Sequence, residues 1–390
     1  MSVAAATWEP RAAELAAELA AKGVLPDLAW ASAFTHIPRH VFTPRVLAED
    51  GTVLRTDESG WLDTVYSDEA LLTQITPAGR GDDAQELPTS SSSKPAVMAV
   101  MLDRLDVRYG HRVLEIGTGT GYNTALLCHQ LGQDSVYSLD IHPGLVDTAG
   151  QRLAELDQHP HLAAGDGAAG WAEHAPFDRI LATCAITYVP LAWIRQLADG
   201  GRIVAPLDVG AAGPLLVLDK TAPDEVTGRI DPYPALFMPL REHAGSPLGP
   251  GQSTGFTASG MAHYGTTTLD PAALLADDPD FVLFLWLHIP GLRVAGGAQV
   301  GSVVAHCADA LAEAQLAARD DGTWQVVQRG ARRLWDTIEH ATTAFHALGC
   351  PGRTRLGVTA LDTRERQYIW LDDPGGAHSF PLMPMASMTG

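Results

Sequence analysis

Cysteine is scarce in this chain and widely scattered, at Cys128, Cys184, Cys307 and Cys350. With no C-x-x-C there is neither a zinc pattern nor a disulfide framework, so the cytoplasm is the expected location. Basic residues are also short: 26 Lys and Arg stand against 46 Asp and Glu, a formal net charge of −20. Nonspecific binding to nucleic acid or an anionic membrane needs a basic footprint, so neither is an expected partner. Long hydrophobic runs are missing too. The most apolar stretch, Phe281 to Ile289, is far shorter than the ~20 residues that span a bilayer. The alanine-rich start, with Glu9, Glu14 and Glu18, reads as an amphipathic helix and not as a secretion signal. His263, His288, His306, His340, His346 and His378 show no H-E-x-x-H or similar spacing, so no metal is expected. No G-K-[ST] follows the glycine-rich stretch, which excludes a triphosphate loop.

What is present is an ordinary globular composition, 46% hydrophobic and 18% charged over 390 residues, enough for two domains. The organising stretch is Arg112-Val-Leu-Glu-Ile-Gly-Thr-Gly-Thr-Gly-Tyr-Asn123. Val113 to Ile116 reads as a buried strand, Gly117, Gly119 and Gly121 as a tight turn, and Tyr122 to Leu131 as a helix. Glycines suit a turn that is sharp and that a ligand must approach closely. Ser135 to Asp140 reads as a second strand ending in an acid, 23 residues after Gly117, where a carboxylate can accept both hydroxyls of a ribose. Asp166, in Gly165-Asp-Gly167, follows a third segment and can reach an adenine edge. The ligand this order suggests is an adenosine without pyrophosphate, S-adenosylmethionine.

Along the chain, helices are expected at Pro10 to Lys22, Asp27 to Phe34 and Ala96 to Leu105, and a strand at Ala70 to Ile75. Pro77 to Pro88 reads as a polar surface loop. The serine run Ser90 to Ser93, before Lys94 and Pro95, falls at a helix N-terminus, where capping is the plain role for it. After Asp166, Pro176 to Ala182 and Arg202 to Ala205 read as strands. Leu215 to Leu218, Val226 to Ile230 and Ala235 to Leu240 read as closing antiparallel strands. The alternation implies an α/β, doubly wound, mostly parallel sheet. Residues 1–75 form a helical lead-in, 76–243 the cofactor-binding core, 244–260 a Gly/Pro/Ser/Thr linker and 261–390 a C-terminal α+β extension. In that extension Phe281 to Ile289 looks like a strand, Ala308 to Ala318 and Gly330 to Leu348 like helices, and Tyr368 to Leu371 like a late strand.

Taken together, Tyr66-Ser-Asp68, Ser93-Lys-Pro95, the glycine turn, Gly165-Asp-Gly167, Pro176-Phe-Asp178 and Gln196 to Val204 resemble the protein-L-isoaspartate O-methyltransferases. The likeness runs from about residue 10 to 242. It implies a Rossmann-like class I methyltransferase fold, with S-adenosylmethionine as cofactor and S-adenosylhomocysteine as product. Ser93 takes the place of the active-site serine, and Ser91, Ser92 and Tyr66 are implied substrate contacts. Gly117, Thr118, Gly119, Gly121, Asn123, Asp140, Ile141, Asp166 and Gly167 fall at the cofactor contacts. Repair enzymes lead into that serine with a short Gly-Gln-Thr-Ile-Ser, replaced here by the longer Pro77 to Ser92. The tail, with Arg333-Leu-Trp-Asp336, Gly357-Val-Thr359 and Trp370 to Pro374, looks like the extension on methyltransferases encoded with ribosomal peptide-modifying enzymes. Those relatives methylate an aspartate in an already cyclised precursor peptide, and the product is an aspartimide. Protein repair and a SAM-binding protein without turnover are the alternatives.

Overall fold

Alanine, leucine and glutamate recur at helical spacing in the first helix of the computed structural model. It describes residues 8–47, 52–56, 58–78, 85–209, 212–240, 261–275, 278–296, 305–308 and 311–382. Helix α1 (Trp8–Ala21) buries Ala12, Leu15, Ala16 and Leu19, one stripe of an amphipathic helix. Helix α2 (Leu28–His36) is capped by Asp27, which accepts the Ala29 N–H at 2.7 Å. Pro38 precedes the single turn α3 (Arg39–Phe42).

A small antiparallel sheet follows. Strands β1 (Arg45–Leu47) and β2 (Val53–Arg55) and the short helix α4 (Trp61–Val65) precede β3 (Leu71–Ala78) and β4 (Gln85–Ser92), in the order β2-β1-β3-β4. Of the stretch expected as a loop, 79–84 lie outside the described residues, while 77–78 and 85–88 belong to a β-ribbon, with β3 and β4 paired from Leu71–Ser92 to Ala78–Gln85. Its polar side chains hid it, because a ladder is made by backbone groups and tolerates Thr and Ser. Nor do the serines cap the next helix, α5 (Pro95–Leu105). Its N-cap is Lys94, which makes no side-chain cap bond, and the Ala96 N–H donates to Asp68 Oδ1 at 2.8 Å.

The parallel core contains β5 (Val113–Ile116), α6 (Tyr122–Leu131), β6 (Val136–Asp140), α7 (Pro143–Ala154), β7 (His161–Ala164), β8 (Phe177–Ala182), α8 (Leu191–Gln196) and β9 (Leu197–Pro206). Its strands lie in the order β7-β6-β5-β8-β9, all parallel. The winding reverses beside β5, and ligands of such sheets lie beyond the carboxyl ends of the strands at that switch. Strands β10 (Leu215–Ala222) and β11 (Glu225–Asp231) continue the sheet antiparallel. Ala235 to Leu240 is not a further strand and contributes only the bridge Ala185–Pro239. Pro232, Pro234 and Pro239 lack the N–H that a ladder requires.

The linker expected at 244–260 lies outside the described residues. Beyond it come β12 (His263–Thr267), α9 (Pro279–His288), β13 (Arg293–Gly296), β14 (Ala305–Ala308), β15 (Ala312–Ala318), β16 (Trp324–Gly330) and α10 (Leu334–Ala347). The strands form an antiparallel sheet ordered β12-β16-β15-β14-β13. Two expectations are corrected here. The apolar run from Phe281 is helix α9, because Asp278 accepts the Asp280 and Phe281 N–H groups and Pro279 sits in the first turn. Local capping decides a run whose periodicity is ambiguous. Conversely, the alanine-rich Ala308 to Ala318 is not a helix. Ala312, Ala314 and Leu316 point alternately into the core, and β15 is paired on both sides, which overrides helix propensity.

The chain then returns to the large sheet with β17 (Leu356–Leu361), β18 (Gln367–Leu371) and β19 (Ser379–Pro381). Strand β17 pairs with β11, so ten strands run β19-β18-β17-β11-β10-β9-β8-β5-β6-β7. The sheet as a whole is mixed, parallel in one half and antiparallel in the other.

Candidate active site

Strand β5 delivers the chain into the turn at Gly117, Gly119 and Gly121, whose φ angles are +98°, +53° and +89°. That left-handed region is cheap only for glycine. A Cβ on Gly117 would lie 2.6 Å from Thr183 Oγ1, whereas one on Gly119 would meet nothing nearer than the Ser91 carbonyl oxygen, at 3.8 Å. The first glycine admits the segment that follows β8. The second leaves room beside the serine run.

Asp140 closes β6. Its Oδ2 accepts the Gly119 N–H at 2.9 Å and its Oδ1 the His142 N–H at 3.0 Å. The carboxylate is thereby fixed against the glycine turn, and each oxygen retains capacity for a further hydroxyl donor. Ile141 beside it is 43% exposed, an apolar wall at the same edge. Asp166 accepts the Ala168 N–H on Oδ1 at 2.9 Å, leaving Oδ2. The Gly165 N–H donates to the Asp140 carbonyl at 2.9 Å. A Cβ on Gly167 would lie 2.4 Å from Ile116 Cγ2, so only glycine lets this third turn close onto β5. Gly117, Gly119, Asp140, Ile141, Asp166 and Gly167 thus share one sheet edge.

Thr118 and Asn123, both named as cofactor contacts, turn their side chains the other way. They serve Glu115, which is fully buried within β5. Asn123 Nδ2 donates to Glu115 Oε1 at 2.6 Å, while Thr124 Oγ1 and Ser138 Oγ donate to Oε2 at 2.5 and 2.6 Å. Thr118 Oγ1 joins the network through Ser138 Oγ, 2.7 Å away. Burial pushes the Glu115 carboxyl up, and the three donors pull it back. An acid inside an apolar strand was the available signal, since such a group needs buried partners.

The serine run passes the turn at Ser91. Ser91 and Ser93 are half-buried, while Ser92 is buried and its Oγ has no partner among the described residues. Arg39 holds the Ser93 carbonyl through Nη2 at 3.2 Å. The same guanidinium donates to the carbonyls of Val65, Ser67 and Glu69 at 2.8–2.9 Å. Desolvation lowers the Arg39 pKa to about 10, so it stays charged at neutral pH. Sequence reading missed this residue. Tyr66, named as a substrate contact, is instead a core residue: its hydroxyl is 2.8 Å from His40 Nδ1 and its ring stacks on Trp8. Its route to Ser93 is indirect, through the Val65-to-Ser67 carbonyls that Arg39 binds.

A switch-point crevice with a glycine turn, an acid ending the second strand and Gly-Asp-Gly after the third defines a class I S-adenosylmethionine-dependent methyltransferase. The residues suit that cofactor. Asp140 can take ribose hydroxyls, Asp166 Oδ2 an adenine amine, and Ile141 an aromatic face. The chain belongs to the protein-L-isoaspartate(D-aspartate) O-methyltransferase (PCMT) family, whose model matches residues 10–245, and its activity is S-adenosylmethionine-dependent O-methylation of protein or peptide carboxylates. A curated protein-L-isoaspartate O-methyltransferase from Methylorubrum populi is 34% identical over 236 residues, covering 60% of this chain and 97% of that one. Protein-L-isoaspartate O-methyltransferase 1 of Anaeromyxobacter sp. is 39% identical over 238 residues, again covering 60% and 97%. A solved chain titled protein-L-isoaspartate O-methyltransferase shares the fold at a TM-score of 0.52 and 22% identity, over 92% of this chain and 99% of its own. The fold likeness therefore runs well beyond the family match. Among the described residues no group of three His, Cys, Asp or Glu could hold a metal ion, and no helix is long and apolar enough to cross a membrane.

Proposed function

We propose that the acceptor is the side-chain carboxylate of an ordinary aspartate in a ribosomally made peptide that is already cyclised, and that the ester proceeds to an aspartimide. The observation that carries this is the β3–β4 ribbon. Among the described residues, strand β4 is the edge strand of its sheet, passes the glycine turn at Ser91 and leads on into Ser93. A strand at the edge of a sheet is where an extended peptide segment can add by backbone pairing. A ring fixed in advance loses little freedom on docking. The segment after residue 261 then helps to select the peptide.

An aspartate is ionised at neutral pH, its reference pKa being about 4, so no strong base is required and positioning dominates. The Ser93 hydroxyl donates to one carboxylate oxygen and leaves the other free, and Arg39 holds the Ser93 backbone still. Asp140 and Asp166 orient ribose and adenine. S-adenosylmethionine, when bound, supplies an electrophilic sulfonium methyl. In the methylated peptide, the following residue's backbone nitrogen attacks the ester carbonyl and gives up its proton. Methoxide leaves with that proton as methanol, so the peptide loses one water overall.

Protein repair is the second reading. It is favoured by the curated relatives' names and by the solved chain of that title, whose fold likeness covers nearly the whole molecule. The extension therefore does not separate the two. Mass spectrometry does. Incubation with the cyclised aspartyl peptide should show one methyl gained, then methanol lost, with little turnover of a linear isoaspartyl hexapeptide. Robust methylation of the isoaspartyl peptide, with none of aspartate in any ring, restores repair.

A further inference from the structure

The segment from Thr183 to Pro190 leaves β8 at the glycine turn, and its two halves are held differently. The first half is tied to the methyltransferase core. The Thr183 N–H donates to the Ile116 carbonyl at 2.9 Å, and Thr183 Oγ1 to the Gly117 carbonyl at 2.6 Å. The Ala185 and Ile186 N–H groups donate to the Met238 and Pro206 carbonyls, both at 2.9 Å. The second half is held from the extension. Gln367, at the start of β18 and 2% exposed, directs both ends of its amide at Val189, with a longer bond from Nε2 to the Leu361 carbonyl at 3.4 Å. Its Oε1 accepts the Val189 N–H at 2.9 Å, and its Nε2 donates to the Val189 carbonyl at 2.8 Å. Arg364 Nη2 donates to Tyr188 Oη at 2.6 Å, with the guanidinium 4.5 Å from the ring centroid. Gln367 is itself fixed, by pairing with Ala360 and by the Leu382 N–H on its carbonyl at 2.8 Å.

We infer that Gln367, assisted by Arg364, is a positioning residue for the acceptor side of the active site. A side-chain amide that both accepts from and donates to the backbone of one buried residue does what a neighbouring strand would do, with only one side chain. The cofactor end of the segment has its own bonds to Ile116 and Gly117, so it does not depend on the extension. Tyr188 and Val189, which Arg364 and Gln367 hold, follow Thr183 by five and six residues along the same segment. The extension thereby completes the hold on the segment that begins at Thr183. This rests on the carboxyl methyltransferase assignment and not on which aspartyl acceptor is native.

The test compares Gln367→Met, which keeps length but makes no hydrogen bonds, Gln367→Glu, which can accept from Val189 but not donate when ionised, and Arg364→Ala at an exposed position. The full-length protein is assayed with the linear isoaspartyl hexapeptide and with the cyclised aspartyl peptide, and S-adenosylhomocysteine binding is measured by calorimetry. Gln367→Met should lower kcat/KM for whichever acceptor the parent uses by about tenfold or more, the scale of a small misplacement, with S-adenosylhomocysteine affinity unchanged within about twofold. Gln367→Glu should fall between, and Arg364→Ala should shift the same way by less. The inference is overturned if Gln367→Met keeps full kcat/KM, or if its cofactor affinity falls in step with turnover. Should Gln367→Met not fold, Arg364→Ala decides by the same criteria. If the parent turns over neither peptide, the acceptor reading has failed, and hydrogen exchange of residues 187–190 decides. Faster exchange there, with 117–126 unchanged, supports the role, and unchanged exchange at 187–190 refutes it.

Discussion

The two halves of the ten-stranded sheet divide the work by strand direction. In the parallel half, β5, β6, β7 and β8 all end on one edge, so their connecting turns gather there and bring Gly119, Asp140, Asp166 and Thr183 together. In the antiparallel half, successive turns fall on opposite edges, so no such cluster can form. That half offers side-chain clamps instead, with Gln367 on Val189 and Arg364 on Tyr188. Chemistry collects where strands agree in direction, and support comes from where they alternate.

The harshest way to break the parallel half is Glu115→Ala. It strands the buried donors of Asn123, Thr124 and Ser138, at roughly 1–3 kcal/mol for each one left unpaired, so chemical denaturation should show a loss of about 3 kcal/mol or more. A loss under about 1 kcal/mol would mean the network relaxes onto water. Ser93→Ala should cut turnover by about a hundredfold, the scale of lost alignment, while calorimetry finds cofactor affinity intact. If turnover and peptide affinity survive, Ser93 has no acceptor role, and Ser92 and Ser91 come next. Asp140→Ala should weaken S-adenosylmethionine binding by roughly 1–3 kcal/mol, and unchanged affinity removes it from the ribose role.

The smallest effect is on pH dependence, and it reaches both sides of the molecule. Burial lowers the pKa of His40, near α1, and of His288, in the extension. Each ring is neutral in the fold, so the unfolded chain binds the extra proton first. The stability they contribute is full above the unfolded value of about 6.5 and is lost as pH falls through the folded one. Thermal melts between pH 7.5 and 5.5 should therefore fall less steeply for His40→Gln than for the parent. Equal slopes would show that His40 does not titrate in that window.

Much of the parallel half was legible because its signals are local: an apolar strand, a glycine turn, an acid at a strand end. Direction was harder. Spacing alone could not say that Thr118 and Asn123 face Glu115, or that Tyr66 points at His40. The β3–β4 ribbon was hidden by polar side chains, and α9 and β15 by composition that favoured the other state. Arg39 and Gln367 were invisible for a different reason. Their partners lie 54 and 178 residues away, and no short-range pattern encodes such a meeting.

The pairing of β17 with β11 also sets an order of events during synthesis. Roughly 120 residues separate the end of β11 from the start of β17, which at ribosomal rates of about 5–20 residues per second is a delay of several seconds to tens of seconds. Throughout that interval the nascent methyltransferase half carries an uncovered strand edge, the kind of surface that recruits neighbouring chains. The last strands made are the ones that seal it, so premature termination leaves that edge open.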